Sequence, residues 1–117
     1  MTCIFIEDSF DSAHFLPNVA EGHKCRTMHG HTYRIRLEIE GPVGERTGWI
    51  MDYAVAREAW LLVKARLDHQ LLNGVTGLEN PTCELLADWI AERLSPSLAI
   101  SRLELRETEH CGVVIYQ

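Results

Sequence analysis

Residues 29–40 read HGHTYRIRLEIE, and within them Tyr33, Ile35, Leu37 and Ile39 alternate with Arg34, Arg36, Glu38 and Glu40. A period of two is the mark of a strand with one buried and one wet face. The chain must therefore contain a sheet covered on one side, and its other segments must supply the cover. Ile4, Ile6, Phe10, Ser12 and His14 share one parity over residues 3–14 and predict a second strand. Asp8 breaks its apolar face, which suggests a bulge near Glu7-Asp8. Gly41-Pro42 stops the 29–40 strand.

Asp52 can cap a helix running to about Leu67, with Val55, Ala59, Leu62, Val63 and Leu67 as its apolar stripe. Pro81 precedes a second helix to about Leu94, with Glu84 in its first turn and Leu85, Leu86, Trp89 and Ile90 facing inward. Residues 100–107, with Leu103 and Leu105 inward, and 112–116 complete the strands. The order ββααββ predicts one α+β domain over residues 1–117, an antiparallel sheet with a helical layer on one face.

Composition excludes several classes. Seventeen acids against 11 Lys and Arg give a net charge of -6, which argues against a general nucleic-acid binder. A small anionic substrate is still compatible with a local basic cluster. No stretch approaches the roughly 20 apolar residues of a membrane span. The start MTCIFIEDSF has no basic-then-apolar pattern, so no signal peptide is expected. The wide, irregular spacing of Cys3, Cys25, Cys83 and Cys111 points to reduced thiols and a cytoplasmic protein.

Strand parity carries the functional reading. His29 and His31 share parity with Tyr33, Ile35 and Leu37, and His14 shares it with Phe10 and Ile6. Three imidazoles should therefore gather at the edge of the core. A buried imidazole needs partners for both ring nitrogens, and a metal satisfies several at once. Three histidine ligands leave a fourth position open, as in catalytic zinc sites. A His-x-His pair by itself equally describes a hydrogen-bonded core pair. Glu107 continues the parity of Leu103 and Leu105 and can point inward or to solvent. Cys25 lies between Lys24 and Arg26, four residues before His29, where cations and a nearby metal favour a thiolate. His23 and His110 read as solvated loop residues, and His69 as a helix-end cap. Trp49, Trp60 and Trp89 read as core or interface.

Taken together, Phe10-Asp11-Ser12-Ala13-His14, Glu21-Gly22-His23-Lys24-Cys25, the Cys25-x-x-x-His29-Gly30-His31 run, Gly48-Trp49-Ile50-Met51-Asp52-Tyr53, Leu67-Asp68-His69, Glu79-Asn80-Pro81-Thr82 and Glu107-Thr108 resemble the 6-pyruvoyl-tetrahydropterin synthase superfamily. The three-residue gap before His-Gly-His is most similar to its bacterial, queuosine-forming branch. The resemblance implies a T-fold, a four-stranded antiparallel sheet with two helices on its outer side. Such subunits join edge to edge into oligomeric barrels, with two trimers stacked as a homohexamer. It further implies a carbon–carbon lyase that converts 7,8-dihydroneopterin triphosphate to 6-carboxy-5,6,7,8-tetrahydropterin, releasing acetaldehyde and triphosphate. Carried over residue by residue, His14, His29 and His31 become ligands of Zn2+. Cys25 becomes the general base, Asp68 with His69 a proton-handling pair, and Glu107 the anchor of the pterin. Lys24 and Arg26, or basic residues of a neighbouring subunit, are candidates for the triphosphate. The expected partners are this small pterin substrate and other copies of the chain, with no nucleic acid and no membrane.

Three other readings stay open at this level. They are a 6-pyruvoyl-tetrahydropterin synthase, another T-fold enzyme acting on purine- or pterin-like rings, and a non-catalytic zinc or pterin-binding module. Cysteine spacing speaks against the first two, and the presence of Cys25, Asp68 and His69 against the third.

Overall fold

A computed structural model describes residues 1–117. Two long strands, β1 (Cys3–His14) and β2 (His29–Glu40), form its spine. They pair antiparallel without a break from Cys3↔Glu40 to His14↔His29. After β2 come α1 (Tyr53–Lys64), a two-residue strand β3 (Gln70–Leu71), α2 (Cys83–Leu94), β4 (Ile100–Arg106) and β5 (Gly112–Tyr116). The sheet order is β3-β1-β2-β4-β5. The α+β class and the predicted strands hold, but there are five strands, not four. β3 adds to the edge in parallel, Ser12 facing Gln70 and Ala13 facing Leu71. Two residues carry no periodicity, so nothing in the sequence marks them as a strand.

The inward residues Ile6, Phe10, Tyr33, Ile35, Leu37, Leu103 and Leu105 are buried and form one core with the helices. Phe10 stacks on Tyr33 at 5.1 Å between ring centroids. Asp52 caps α1 by accepting the Ala54 amide at 2.9 Å, and Thr82 caps α2 by accepting the Leu85 amide at 3.2 Å. α1 ends at Lys64, short of Leu67. Its buried stripe is Ala56, Trp60 and Val63, followed by Leu67 beyond the helix, while Val55 and Leu62 are exposed. The expected stripe was rotated because Trp60, the largest side chain in the helix, takes the central core position. In α2, Leu86, Trp89 and Ile90 are buried as expected, but Leu85 faces out, its place taken by Ala87 and Ala91. Of the tryptophans only Trp49 is exposed.

The expected bulge at Glu7-Asp8 is absent. The irregularity lies instead between β2 and β4, where Glu38 faces Arg102 and Ile39 faces Ile100, so that Ser101 is the extra residue. Asp8 keeps its inward position because the helical layer satisfies it: its carboxylate accepts Trp60 Nε1 at 2.8 Å and Lys64 Nζ at 3.1 Å. Burial by itself would raise the Asp8 pKa. The Trp60 indole, the Ser9 amide and Lys64 outweigh it and hold the group below its usual value.

Such a carboxylate contributes its full stability above the unfolded-state pKa of about 3.9, and loses it as pH falls through the lower folded value. We expect Asp8→Ala to destabilise the protein by about 1–3 kcal/mol at neutral pH, since it strands two donors. The gap from wild type should close below about pH 4. Denaturant unfolding at matched protein concentration measures both, and a gap independent of pH would contradict the ion-pair account.

Candidate metal centre and active site

The unbroken β1–β2 register sets His14 directly opposite His29, and Ser12 opposite His31. All three imidazoles fall on the inward parity at the end of the strand pair where the 15–28 loop joins β1 to β2. His14 is almost fully buried. Its Nδ1 lies 2.9 Å from the Pro81 carbonyl oxygen and 3.3 Å from the Tyr33 hydroxyl. His29 Nδ1 lies 2.7 Å from the Thr27 carbonyl oxygen. A carbonyl only accepts, so both Nδ1 atoms carry the proton and both Nε2 atoms present lone pairs. Those two Nε2 atoms are 3.0 Å apart. Two lone pairs at that distance repel unless a proton or a metal ion lies between them. His14, His29 and His31 each offer one ring nitrogen within 4.8 Å of the others, a group that could hold a metal ion. The rings stand at steep angles, 67°, 82° and 90° in the three pairs, as ligands converging on one point do.

Electrostatics favour the ligand form. Burial is the main cause that pushes the pKa of both His14 and His31 below the usual imidazole value, with neighbouring histidines adding to it; the Pro81 carbonyl and then Glu107 oppose it at His14, and Glu107 opposes it at His31. Neutral imidazole is the form that binds metal. The donor set, three imidazole nitrogens with their second nitrogens held by carbonyls where the partner is visible, therefore fits a divalent transition metal with an open coordination position.

A cleft of about 510 Å³ opens beside the cluster, lined by Leu16, Lys24, Cys25, Thr27, Glu107 and Thr108 together with the three histidines. Cys25 reaches it on a short 3-10 turn, Lys24–Arg26. His23 caps that turn, its Nδ1 accepting the Cys25 amide at 3.1 Å, and the Leu16 amide donates to the Cys25 carbonyl at 2.8 Å. His23 is thus exposed, as expected of a loop residue, but structurally engaged. Of the two cations flanking Cys25, Arg26 is spent on the Val19 and Pro17 carbonyls, at 2.9 and 3.4 Å. Lys24 is the one that lines the cleft. Glu107 points inward, its Oε1 3.5 Å from Nε2 of both His14 and His31. Cys83, the other thiol of the core, is pushed up to about 12, first by burial, then by Glu107 and Glu84, and is a packing residue.

Asp68 and His69 pair with each other, Oδ1 to Nδ1 at 3.1 Å. The Asp11 amide donates to Asp68 Oδ1 at 3.0 Å and, ahead of His69, holds that carboxyl below its usual range. His69 sits in the left-handed backbone region at φ 58°, costly for a residue with a side chain, with its amide bonded to the Asp11 carbonyl at 2.6 Å. Within one chain His69 lines a different cleft, with Asp11, Thr32 and Gln70, and only His31 borders both. The structure therefore joins Cys25, Glu107 and the three histidines, and sets Asp68 and His69 apart. What sequence reasoning missed are the Pro81 and Thr27 carbonyls that orient the imidazoles. Backbone acceptors leave no trace in residue identity.

Residues 3–117 match the family model described as 6-pyruvoyl tetrahydropterin synthase. The chain is 45% identical over 100 residues to a 6-carboxy-5,6,7,8-tetrahydropterin synthase of Synechocystis sp., covering 80% of this chain and 75% of that one. It is 32% identical over 114 residues to a dihydroneopterin monophosphate aldolase of Pyrococcus furiosus, covering 94% and 93%. The fold matches the Caenorhabditis elegans 6-pyruvoyl tetrahydropterin synthase with a TM-score of 0.88 at 24% identity, covering 100% and 97%. The chain belongs to the 6-pyruvoyl tetrahydropterin synthase family, and its sheet and helices are a T-fold.

Replacing His29 or His31 by Ala is expected to remove most bound metal while leaving a folded protein. Elemental analysis of the purified variants reads this directly, and full metal content in both would contradict the three-histidine centre.

Proposed function

We propose that this chain is a zinc-dependent 6-carboxy-5,6,7,8-tetrahydropterin synthase, a carbon–carbon lyase. It converts 7,8-dihydroneopterin triphosphate to 6-carboxytetrahydropterin, acetaldehyde and triphosphate in queuosine biosynthesis. The observation that carries the reading is the single cleft in which Cys25 and Glu107 face three convergent imidazoles. The 45% identity to a protein of that name supports the choice within the family.

Zinc, held by His14, His29 and His31, would supply Lewis acidity toward the oxygens of the substrate side chain. Cys25 takes and returns protons at that side chain from the wall of the cleft. Glu107, one of whose carboxylate oxygens already faces the cleft, accepts paired N–H groups from the guanidine-like edge of the pterin. Lys24 offers its ammonium to the triphosphate. Asp68 orients His69 through the Oδ1–Nδ1 contact, and the pair serves as a second acid–base group. Because His69 opens on another cleft of the same chain, we place the pair at the site of a neighbouring subunit, in a cytoplasmic homohexamer of two stacked trimers. The edge strand β5, with Val114 and Tyr116 exposed, offers an unpaired ladder for such an assembly. No helix is long and apolar enough to cross a membrane.

The Pyrococcus furiosus relative, matched over nearly its whole length, favours one second reading, action on dihydroneopterin monophosphate. Zinc-loaded protein should be offered the triphosphate and the monophosphate separately, with acetaldehyde measured by a coupled reductase and products by mass spectrometry. Acetaldehyde from the triphosphate supports the proposal. Consumption of the monophosphate alone would move the assignment to an aldolase, and a product that keeps the three-carbon chain to a pyruvoyl synthase.

Two variants separate the roles. Cys25→Ala is expected to keep its metal and bind pterin but lose about 10²–10⁴-fold in kcat, the usual worth of a proton-transfer group. An unchanged kcat would reduce Cys25 to a loop residue. Glu107→Gln turns one acceptor into a donor facing donors and should weaken binding of an unreactive pterin by about 1.5–3 kcal/mol in a titration. Equal affinities would mean that the ring is anchored elsewhere.

A further inference from the structure

We infer that Asn73 is a positioning residue for the metal ligand His14. The inference rests on the reading of His14, His29 and His31 as a metal centre. It concerns how the orientation of His14 is enforced.

The tautomer and tilt of the His14 ring depend on the Pro81 carbonyl, 2.9 Å from Nδ1. Proline has no amide N–H, so Pro81 cannot donate a backbone bond of its own to fix its place. Its position must come from its neighbours. On the C-terminal side, Thr82 caps α2, which anchors the peptide after Pro81. On the N-terminal side the loop from Leu72 has one polar side chain that reaches across to β1, and it is Asn73.

β1 ends at His14, and β3 stops pairing with it at Ala13↔Leu71. Phe15, the next residue, has lost the sheet as a partner. Asn73 replaces it. Its Oδ1 accepts the Phe15 amide at 3.0 Å, and its Nδ2 donates to the Phe15 carbonyl at 2.8 Å. A carboxamide offers one acceptor and two donors in a plane, so it can stand in for a strand on both backbone groups of one residue. The second donor leans toward the Glu79 carbonyl at 3.4 Å, two residues before Pro81. One side chain thus ties the residue after His14 to the segment that delivers the Pro81 carbonyl. The Leu72–Gly74 3-10 turn presents Asn73 for this, closed by the Val75 amide on the Leu72 carbonyl at 2.9 Å. Asn73 neither joins the ligand cluster nor lines the cleft of Cys25.

A staple that merely stabilises the loop would lower unfolding temperature and leave metal affinity alone. A positioning residue must change the metal site of the folded protein. The variants are Asn73→Ala, which removes all three contacts, and Asn73→Asp. The latter keeps the volume and the Phe15 amide acceptor but sets a carboxylate against two carbonyls. Asp52→Ala, at the α1 cap beside Thr2 and Ile4 and so at the opposite end of β1 from His14, is the control for lost stability. Zinc affinity is read by competition with a chromophoric chelator on protein shown to be folded by circular dichroism. Geometry is read from the visible absorption of the cobalt(II)-loaded forms.

Both Asn73 variants should bind zinc about 10–100-fold more weakly than wild type, the usual effect of losing a group that orients a ligand. Their cobalt bands should shift. Asp52→Ala should melt earlier with wild-type zinc affinity and cobalt spectrum. Asn73 variants with affinity within about twofold of wild type and an unmoved cobalt spectrum would overturn the inference. A wild-type protein that binds no zinc would instead overturn the metal reading on which it rests.

Discussion

The antiparallel pairing of β1 with β2 is the constraint on which the rest depends. It runs twelve residues in continuous register and ends with His14 opposite His29. A slip of one residue would turn every side chain of one strand to the other face and send its histidines to solvent. The core holds the register. Phe10 and Tyr33, directly paired, stack beside the three histidines, and the Tyr33 ring also packs edge-on to those of His14 and His31, at 6.1 and 5.6 Å. The apolar layer that stabilises the sheet therefore also places the imidazoles.

β1 carries three polar side chains on that inward face, Asp8, Ser12 and His14. Each would be costly if left without a partner. Each is satisfied by a successive part of the helical layer. Trp60 and Lys64 of α1 meet Asp8, the Leu67 carbonyl accepts the Ser12 hydroxyl at 2.6 Å, and the Pro81 carbonyl meets His14 Nδ1. Polar residues that looked like interruptions of a strand are the pegs that set the helices over the sheet. They also explain why Asp68-His69 sits where it does. Leu67 is tied to Ser12, and the Asp11 backbone holds both the Asp68 carboxylate and the His69 amide.

Much of this was legible from residue order, for a definite reason. Period-two alternation survives any tertiary arrangement that covers one face of a sheet, so the inward histidines of β2 could be read directly, and Asp52 could be read from its side-chain capping chemistry. Helix faces were less legible. Val55 and Leu62 have the hydrophobicity of core residues, yet Trp60 fills the space over Asp8 and turns them outward. β3 was illegible because two residues show no pattern and its pairing depends on where α1 ends.

Residue order alone specified the alternating strands, the inward parity of His14, His29 and His31, and the position of Cys25 four residues before His29, while the choice of Glu107 between core and solvent was left to packing. The former follow from local chemistry repeated along one chain. Packing in the folded chain set the Pro81 and Thr27 carbonyls against Nδ1 of two of those rings and turned their Nε2 atoms toward each other. It also decided that Arg26 would be consumed by the loop while Lys24 lines the cleft, and that His69, paired with Asp68, would open on a different one. These outcomes depend on contacts between residues as far as 67 positions apart and on backbone groups that every residue shares. No local pattern encodes them, because the partner of a carbonyl is chosen by packing and not by the side chain it carries.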